Sequence, residues 1–393
     1  MPRRIIHFGI IGCGMMGREF ASAAARWAHL LDPRTGQALD FAPRITAVCD
    51  TNPAAMAWFT ANFDSVALAS TNYHDLLADP SLDAIYCAVP HNLHAQLYVD
   101  IIRAGKHLLG EKPFGIDKTA NDAINAAIAD HPSLLVRCSS EFPFYPPAYR
   151  IARWMGEDRF GQIIEVEAGF WHSSDLDPSK PINWKRRAAI NGEYGCMGDL
   201  GMHVVHLPFR AGWYPRSVRA LLSNVITERP DAQGERAPCE TWDNAILATE
   251  VQAGGQTFPM LLSTKRIAPG AANTWFIRIM GTEFSVEYST AHPKTLRTLP
   301  YTPGGPQAWH VEEIGYTSAY SAITGSIFEF GFPDAILQMW AAFCDELVHG
   351  RDGMQQPFTC ATPEEAARSH DLFTAALRSQ ATGQTVALGG PAS

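Results

Sequence analysis

The sequence predicts an α/β chain. Its N-terminal domain holds a parallel sheet covered on both faces, and its C-terminal α+β domain holds an open-faced, largely antiparallel sheet. Three observations carry this reading. Short apolar runs alternate with alanine-rich helical stretches through the first third of the chain. A glycine-rich turn joins the first apolar run to the first helical stretch. After about residue 139 strand-like segments follow one another without intervening helices. The two domains are accordingly placed at 1–138 and 139–393.

The apolar runs in order are Ile5–Ile11, Arg44–Cys49, Ala84–Val89, the run opening at His107–Gly110, and Leu134–Cys138. They are separated by helical patterns at Met15–Leu30, Pro53–Asn62, His94–Ala104 and Lys118–Ala129. Strands that are apolar along their whole length belong in a parallel sheet sandwiched between helices. The turn formers of Asp32–Pro43 read as a loop inserted between the first helix and the second strand. In the second domain Ile163–Trp171, Val218–Val225, Ala245–Val251, Thr257–Ser263 and Phe276–Met280 are strand-like, Gly198–Phe209 is helical, and Pro300–Pro306 is a loop. Two amphipathic helices, near Asp334–Val348 and Pro363–Ser379, close the pattern.

Composition narrows the function. The chain has 393 residues, 31 basic against 40 acidic side chains, and a formal net charge of −9. No basic excess is present to displace counterions from a phosphate backbone, which argues against nucleic-acid binding. The eight cysteines form no C-x-x-C pair, so they read as reduced, buried thiols of a cytoplasmic protein. No apolar run is long enough to span a bilayer. The opening MPRRIIHFGIIGCGMMG imitates a signal peptide, but cleavage there would destroy the glycine motif it contains.

That motif, Gly12-Cys13-Gly14-Met15-Met16-Gly17, fits G-x-G-x-x-G after a strand and at the start of a helix. Gly12 permits the tight turn, Gly14 lets the backbone approach a pyrophosphate, and Gly17 lets helix and strand pack closely. The helix N-terminus offers its N–H groups to the phosphates. Asp50 ends the second strand, where an acid hydrogen-bonds the adenine ribose and favours NAD over NADP. Thr51 and Asn52 supply no cation for a 2′-phosphate.

Two further groups bear on chemistry. Lys112 precedes Pro113 after an apolar strand, so its backbone is pushed towards extended geometry and the bond can be cis at small cost. The carboxyl ends of parallel strands are where open sheets bind ligands. In Gly195–His206, helical spacing puts Asp199, His203 and His206 at i, i+4 and i+7, on one face. A carboxylate one turn from an imidazole suits general acid–base work. The same three residues could bind a metal, although nothing else in the sequence demands one, or could be polar core groups satisfied by their neighbours.

The sequence resembles the Gfo/Idh/MocA (glucose–fructose oxidoreductase / inositol dehydrogenase) family over nearly its whole length. The family's A-G-K-H-V-x-x-E-K-P block is similar to Ala104–Pro113, its T-P-N-x-x-H block to Val89–His94, its G-x-x-x-D-x-G-x-H block to Gly195–His203, and its closing S-x-x-T-G-x-x-V to Ser379–Val386. The resemblance implies a Rossmann domain followed by an open-faced sheet domain, and hydride transfer between a nicotinamide and a sugar or polyol carbon. It implies that Lys112 polarises the reacting oxygen and that His203 accepts the proton with Asp199 beside it. Cofactor contacts are expected along Gly12, Gly14, Met15, Met16, Gly17, Asp50, Pro90, His94, Glu111 and Lys112. Asn183-Trp184-Lys185 resembles a W-R element of the sugar-oxidising branch, which makes Trp184 and Lys185 substrate-binding candidates with Lys112, Glu141, Trp171, Asp199 and His203. His172 and Tyr194 are weaker candidates. Relatives often carry asparagine and arginine after the Rossmann domain, where this chain reads Ser140-Glu141-Phe142-Pro143-Phe144.

The expected function is therefore an NAD-dependent dehydrogenase for a ring secondary alcohol of a sugar, glycoside, anhydrosugar or cyclitol, with no metal, nucleic-acid or membrane partner. The resemblance adds a homodimer or homotetramer joined through the open sheet. The alternatives are an enzyme that uses NAD transiently to cleave a glycoside by oxidation and elimination, and a non-catalytic ligand sensor.

Overall fold

A computed structural model describes residues 3–389. The chain forms two compact units. The first comprises the residues up to Gly115, Thr119–Pro146 and Gly315–Pro363; the second comprises Ile116–Lys118, Pro147–Ile314 and the residues from Glu364 onward. Residues 315–363, beyond the sequence boundary at 138, thus belong to the first unit.

The first unit is built on six parallel strands: β1 (Arg4–Ile11), β2 (Phe41–Cys49), β3 (Leu68–Ser70), β4 (Ala84–Cys87), β5 (His107–Gly110) and β6 (Val136–Cys138). Their spatial order is β3-β2-β1-β4-β5-β6, all pairs parallel. This is the doubly wound order, with its direction reversing between β1 and β4, and ligands of such sheets bind at that reversal. The connecting helices are α1 (Met15–Ala25), α2 (Pro53–Asn62), α3 (Tyr73–Leu77), α4 (His94–Arg103) and α5 (Lys118–Asp130). Asn52 starts α2 by accepting the Ala54 N–H at 3.1 Å, with Pro53 at the first helical position.

Two local departures from the sequence reading have physical causes. The first helix ends at Ala25 rather than Leu30, because Leu30–Leu31 pair with Ser321–Ala322 as a two-residue ladder. The second strand begins at Phe41 and includes Pro43, which is tolerated because β3 pairs only with Ala47–Cys49 and leaves the outer edge at Pro43 without a partner strand. The core of the unit is aromatic. Phe20 stacks on Tyr86 at 3.8 Å and lies 3.7 Å from Trp340, which also meets Phe8 at 5.0 Å, centroid to centroid. Trp340 comes from the Phe332–His349 helix.

The second unit holds a nine-stranded sheet: β7 (Ile163–Trp171), β8 (Pro215–Ser223), β9 (Asn244–Ala253), β10 (Gln256–Lys265), β11 (Thr274–Gly281), β12 (Phe284–Ser289), β13 (Thr295–Pro300), β14 (His310–Glu313) and β15 (Val386–Ala387). The order is β14-β13-β12-β11-β7-β10-β9-β8-β15. Only β7 and β10 pair in parallel; the other neighbours are antiparallel. Burial alternates along β9 and β10, so one face is covered and the other is not. The buried Cys196–Arg210 helix lies on the covered face, where Trp275 Nε1–H donates to His203 O at 2.8 Å. Ile164, Leu221, Ile246 and Val311 stand exposed.

All eight cysteines are buried. No described helix is long and apolar enough to cross a membrane.

Candidate active site

In the first unit the glycine motif forms the turn from β1 into α1. Gly12 has φ +98°, and a Cβ there would stand 2.4 Å from Ala88 O. A Cβ on Gly17 would stand 2.2 Å from Gly12 O, so only glycine lets the helix start this close to the turn. A Cβ on Gly14 meets no atom within 4 Å: the space beside it is open. No side chain caps the N-terminus of α1, and no acid stands in its first turn. Met15 beside it is 81% exposed, and Met16 is half-buried.

Asp50 lies alongside. Its carboxylate accepts the Cys13 N–H and the Asn52 N–H, each at 2.8 Å, through different oxygens. Each oxygen retains acceptor capacity for a hydroxyl. An uncapped helix start, an empty space at Gly14 and a fixed carboxylate together fit a dinucleotide: phosphates at the α1 N–H groups and a ribose diol at Asp50.

The ends of β4 and β5 are tied by His94. Its Nδ1 lies 2.6 Å from Pro113 O and its Nε2 2.9 Å from Val89 O. Burial lowers its pKa to about 4, against the two carbonyl contacts, which raise it. His94 has no exposed surface, so its place is to fix the two loops on either side, with Pro90 half-buried in one of them. The Lys112–Pro113 peptide in the other loop is cis.

Lys112 stands among carboxyls. Glu111 is buried, and its Oε1 accepts the Tyr86 hydroxyl at 2.8 Å while its backbone oxygen accepts the Tyr98 hydroxyl at 2.7 Å. Glu141 is also buried. Burial first, and the Glu111 charge second, push its pKa up to about 8, against the pull of the Lys112 ammonium. The departure noted in the sequence at Ser140–Phe144 thus places a protonated carboxyl near Lys112.

In the second unit Asp199 and His203 lie one turn apart on the Cys196–Arg210 helix, 1% and 4% exposed. The His203 ring meets Phe170 edge-on at 5.4 Å. Lys185 Nζ donates to Asp199 Oδ1 at 2.9 Å and to Oδ2 at 3.0 Å. Arg266 Nη1 donates to Asp199 Oδ2, and its Nε donates to Asp175 Oδ2 at 2.9 Å. Burial works against the Arg266 charge, but Asp199 and Asp175 outweigh it and raise its pKa. Two cations thus flank the Asp199 carboxylate, one helical turn from the His203 imidazole.

The remaining candidates separate by position. Trp184 is half-buried, with Lys185 Nζ 5.5 Å from its ring centroid. Trp171 does not join this group. Strand alternation sends Phe170 to His203 and Trp171 to the opposite face of the sheet, where its ring meets Phe276 at 4.8 Å and its Nε1–H donates to Ser263 Oγ at 2.8 Å. His172 packs on Phe170 at 4.8 Å. Tyr194 is a core residue, with its hydroxyl 2.7 Å from Thr374 Oγ1 and its ring against Phe373. Among the described residues no group of three His, Cys, Asp or Glu is placed to hold a metal ion. His206 instead stands 3.2 Å from Arg210 Nη2. Sequence reasoning missed Arg266 and Asp175; the only trace of Arg266 is a charged pair, Lys265-Arg266, closing an alternating strand before a Pro-Gly turn.

A sequence profile for an "Oxidoreductase family, NAD-binding Rossmann fold" matches residues 6–135, the stretch that carries the glycine turn, Asp50 and Lys112. Residues 6–135 thus match the NAD-binding domain of the Gfo/Idh/MocA oxidoreductase family. This protein is an NAD-binding oxidoreductase. The chain is 23% identical to a levoglucosan dehydrogenase of Pseudarthrobacter phenanthrenivorans over 341 residues, covering 79% of this chain and 84% of the relative. It is 27% identical to a 1,5-anhydro-D-fructose reductase of Ensifer adhaerens over 172 residues, covering 44% and 46%. Among solved structures, levoglucosan dehydrogenase in complex with NADH and levoglucosan superposes with a TM-score of 0.83 at 20% identity, covering 98% of this chain and 100% of that one. An oxidoreductase domain protein from Kribbella flavida superposes with a TM-score of 0.86 at 19% identity, covering 99% and 100%. The family fold expected from the motifs is the fold observed.

Proposed function

We propose that this oxidoreductase is an NAD-dependent dehydrogenase of a ring secondary alcohol, on a sugar, glycoside, anhydrosugar or cyclitol. The observation that carries the reading is the Asp199–His203 pair. A buried carboxylate, neutralised by Lys185 and Arg266, stands one helical turn from an imidazole. Oxidising a carbinol requires its hydroxyl proton to leave as the C–H bond breaks. Neutral His203 takes that proton, and Asp199 orients the ring. The Lys112 ammonium stabilises the alkoxide as it develops. The nicotinamide of bound NAD supplies the hydride acceptor. Trp184 offers an apolar face to a sugar ring, and Lys185 and Glu141 offer hydrogen bonds to hydroxyls. The relatives named for levoglucosan and 1,5-anhydro-D-fructose support the anhydrosugar end of the range. The exposed apolar positions of the open sheet support its use as the contact between subunits.

The test is a panel of sugars, anhydrosugars and cyclitols with NAD and with NADP. The expected result is NADH formed in proportion to product, with NAD preferred. Lys112→Met should keep NAD affinity while turnover falls at least about 10³-fold. Release of an aglycone without net NADH overturns the reading in favour of transient oxidation and cleavage. Binding of a sugar without turnover overturns it in favour of a sensor.

A further inference from the structure

Arg266 follows β10 at the end where that strand pairs in parallel with β7, Lys265 opposite Trp171. The residue is 7% exposed and held on every side. Its Nε donates to Asp175 Oδ2 at 2.9 Å, its Nη1 to Asp199 Oδ2, and its Nη2 to Ser174 Oγ at 3.3 Å. Its backbone N–H donates to Asp243 O at 2.8 Å, and its carbonyl accepts the Asp175 N–H at 3.0 Å. A planar guanidinium with donors in a fixed fork therefore ties the segment after β7 to the helix that carries Asp199 and His203.

We propose that Arg266 is a positioning residue for the proton transfer: with Lys185 it fixes the Asp199 carboxylate one helical turn from His203 and offsets its charge there. This rests on the reading that Asp199 and His203 serve that transfer. The physical reason is electrostatic. A buried carboxylate left alone beside an imidazole favours the imidazolium, which cannot accept a proton. Two cations on Asp199 reduce that field while leaving the anion in place to orient the ring. The charged and titratable groups around it in this unit include Lys185, Arg266, Asp175, Lys180, Arg186, Asp243 and His172, and on the helix itself Cys196, His206 and Arg210. Of these, Arg266 and Lys185 are the cations in direct contact with Asp199.

The experiment is an NMR titration of the His203 ring in histidine-labelled, NAD-saturated full-length protein, with the resonance assigned by His203→Asn. Arg266→Gln should raise the His203 pKa by about 0.5–1 unit, because a cation has left its surroundings. Arg266→Lys, which keeps the charge, should bring it back most of the way. Asp175→Asn removes an anion instead and should move it down; this variant also carries the test if Arg266→Gln does not fold. In step with the titrations, the acidic limb of kcat/KM for alcohol oxidation should shift upward in Arg266→Gln. A His203 titration unmoved in folded Arg266→Gln, or unmoved in Asp175→Asn, overturns the proposal. If the titrations move as stated but the wild type oxidises no alcohol, the charge control by Arg266 holds and the dehydrogenase reading alone fails.

Discussion

The Lys185 ammonium spans both oxygens of the Asp199 carboxylate, at 2.9 and 3.0 Å, from a short 3-10 turn to the Cys196–Arg210 helix. Under the proposed function, the contact makes Lys185 part of the proton-transfer apparatus as well as a candidate hydroxyl ligand. Charge-assisted bonds of this kind are worth about 1.5–3 kcal/mol, so Lys185→Met should lower kcat/KM by roughly 10–100-fold. Lys185→Arg should recover part of the loss. Initial rates on the best sugar of the panel decide the matter; an unchanged kcat/KM would remove Lys185 from the site.

The second and third glycines of the nucleotide turn should respond differently. Gly17→Ala sets a methyl 2.2 Å from a backbone oxygen, so the turn itself must shift. Overpacking of this sort costs about 1–3 kcal/mol, which urea denaturation of the NAD-free protein would read. Gly14→Ala meets nothing within 4 Å and should leave the denaturation midpoint where it is. Its methyl takes the space a pyrophosphate needs, so the Kd for NAD, by titration calorimetry, should rise at least about tenfold. Equal NAD affinity in Gly14→Ala and wild type would place the phosphates elsewhere.

Glu141 makes stability depend on pH. Its pKa is about 8 in the folded chain, against an ordinary value of 4.5, because burial and Glu111 disfavour its charge. The folded state therefore keeps a proton that the unfolded state has released. The stabilisation is complete below the ordinary value and is lost as pH rises through the folded one, with a slope of up to about 1.4 kcal/mol per pH unit in between. Glu141→Gln removes the proton from the balance. Relative to wild type, the variant should gain stability steadily from pH 5 to pH 8, as followed by denaturant midpoints at each pH. Parallel curves would mean that Glu141 titrates normally.

His349 acts in a later window. Burial works against its charge, but Asp345 at 2.7 Å and Asp40 at 3.1 Å outweigh it and raise its pKa above 6.5. Its contribution is complete below the ordinary histidine value and fades as pH rises through the raised one. His349→Gln should therefore cost most stability near pH 6 and least near pH 9. Thermal unfolding of both proteins across that range is the measurement, and a cost independent of pH would rule out a protonated ring.

What the sequence disclosed was local. Gly12, Gly14 and Gly17 act within one turn, and Asp199 and His203 lie four positions apart on one helix, so spacing alone brought them together. What it withheld depends on register. Arg266 reaches Asp175 because β10 pairs in parallel with β7, an arrangement that no local pattern encodes. Phe170 and Trp171 are adjacent aromatics, and sheet alternation alone decides which one meets His203. The strands β12, β13 and β14 are short and lie towards one edge of their sheet, where polar residues interrupt the apolar periodicity that marks a strand.

Trp340 reaches the Phe8 and Phe20 rings from a helix encoded some three hundred positions later. During synthesis the ribosome must therefore release almost the entire polypeptide before the nucleotide-binding fold can close over those rings. A gene fragment ending near codon 150 would yield a sticky, incompletely covered half-product, whereas a circular permutant that supplies residues 315–363 ahead of residue 3 would give the same fold its missing piece at the outset.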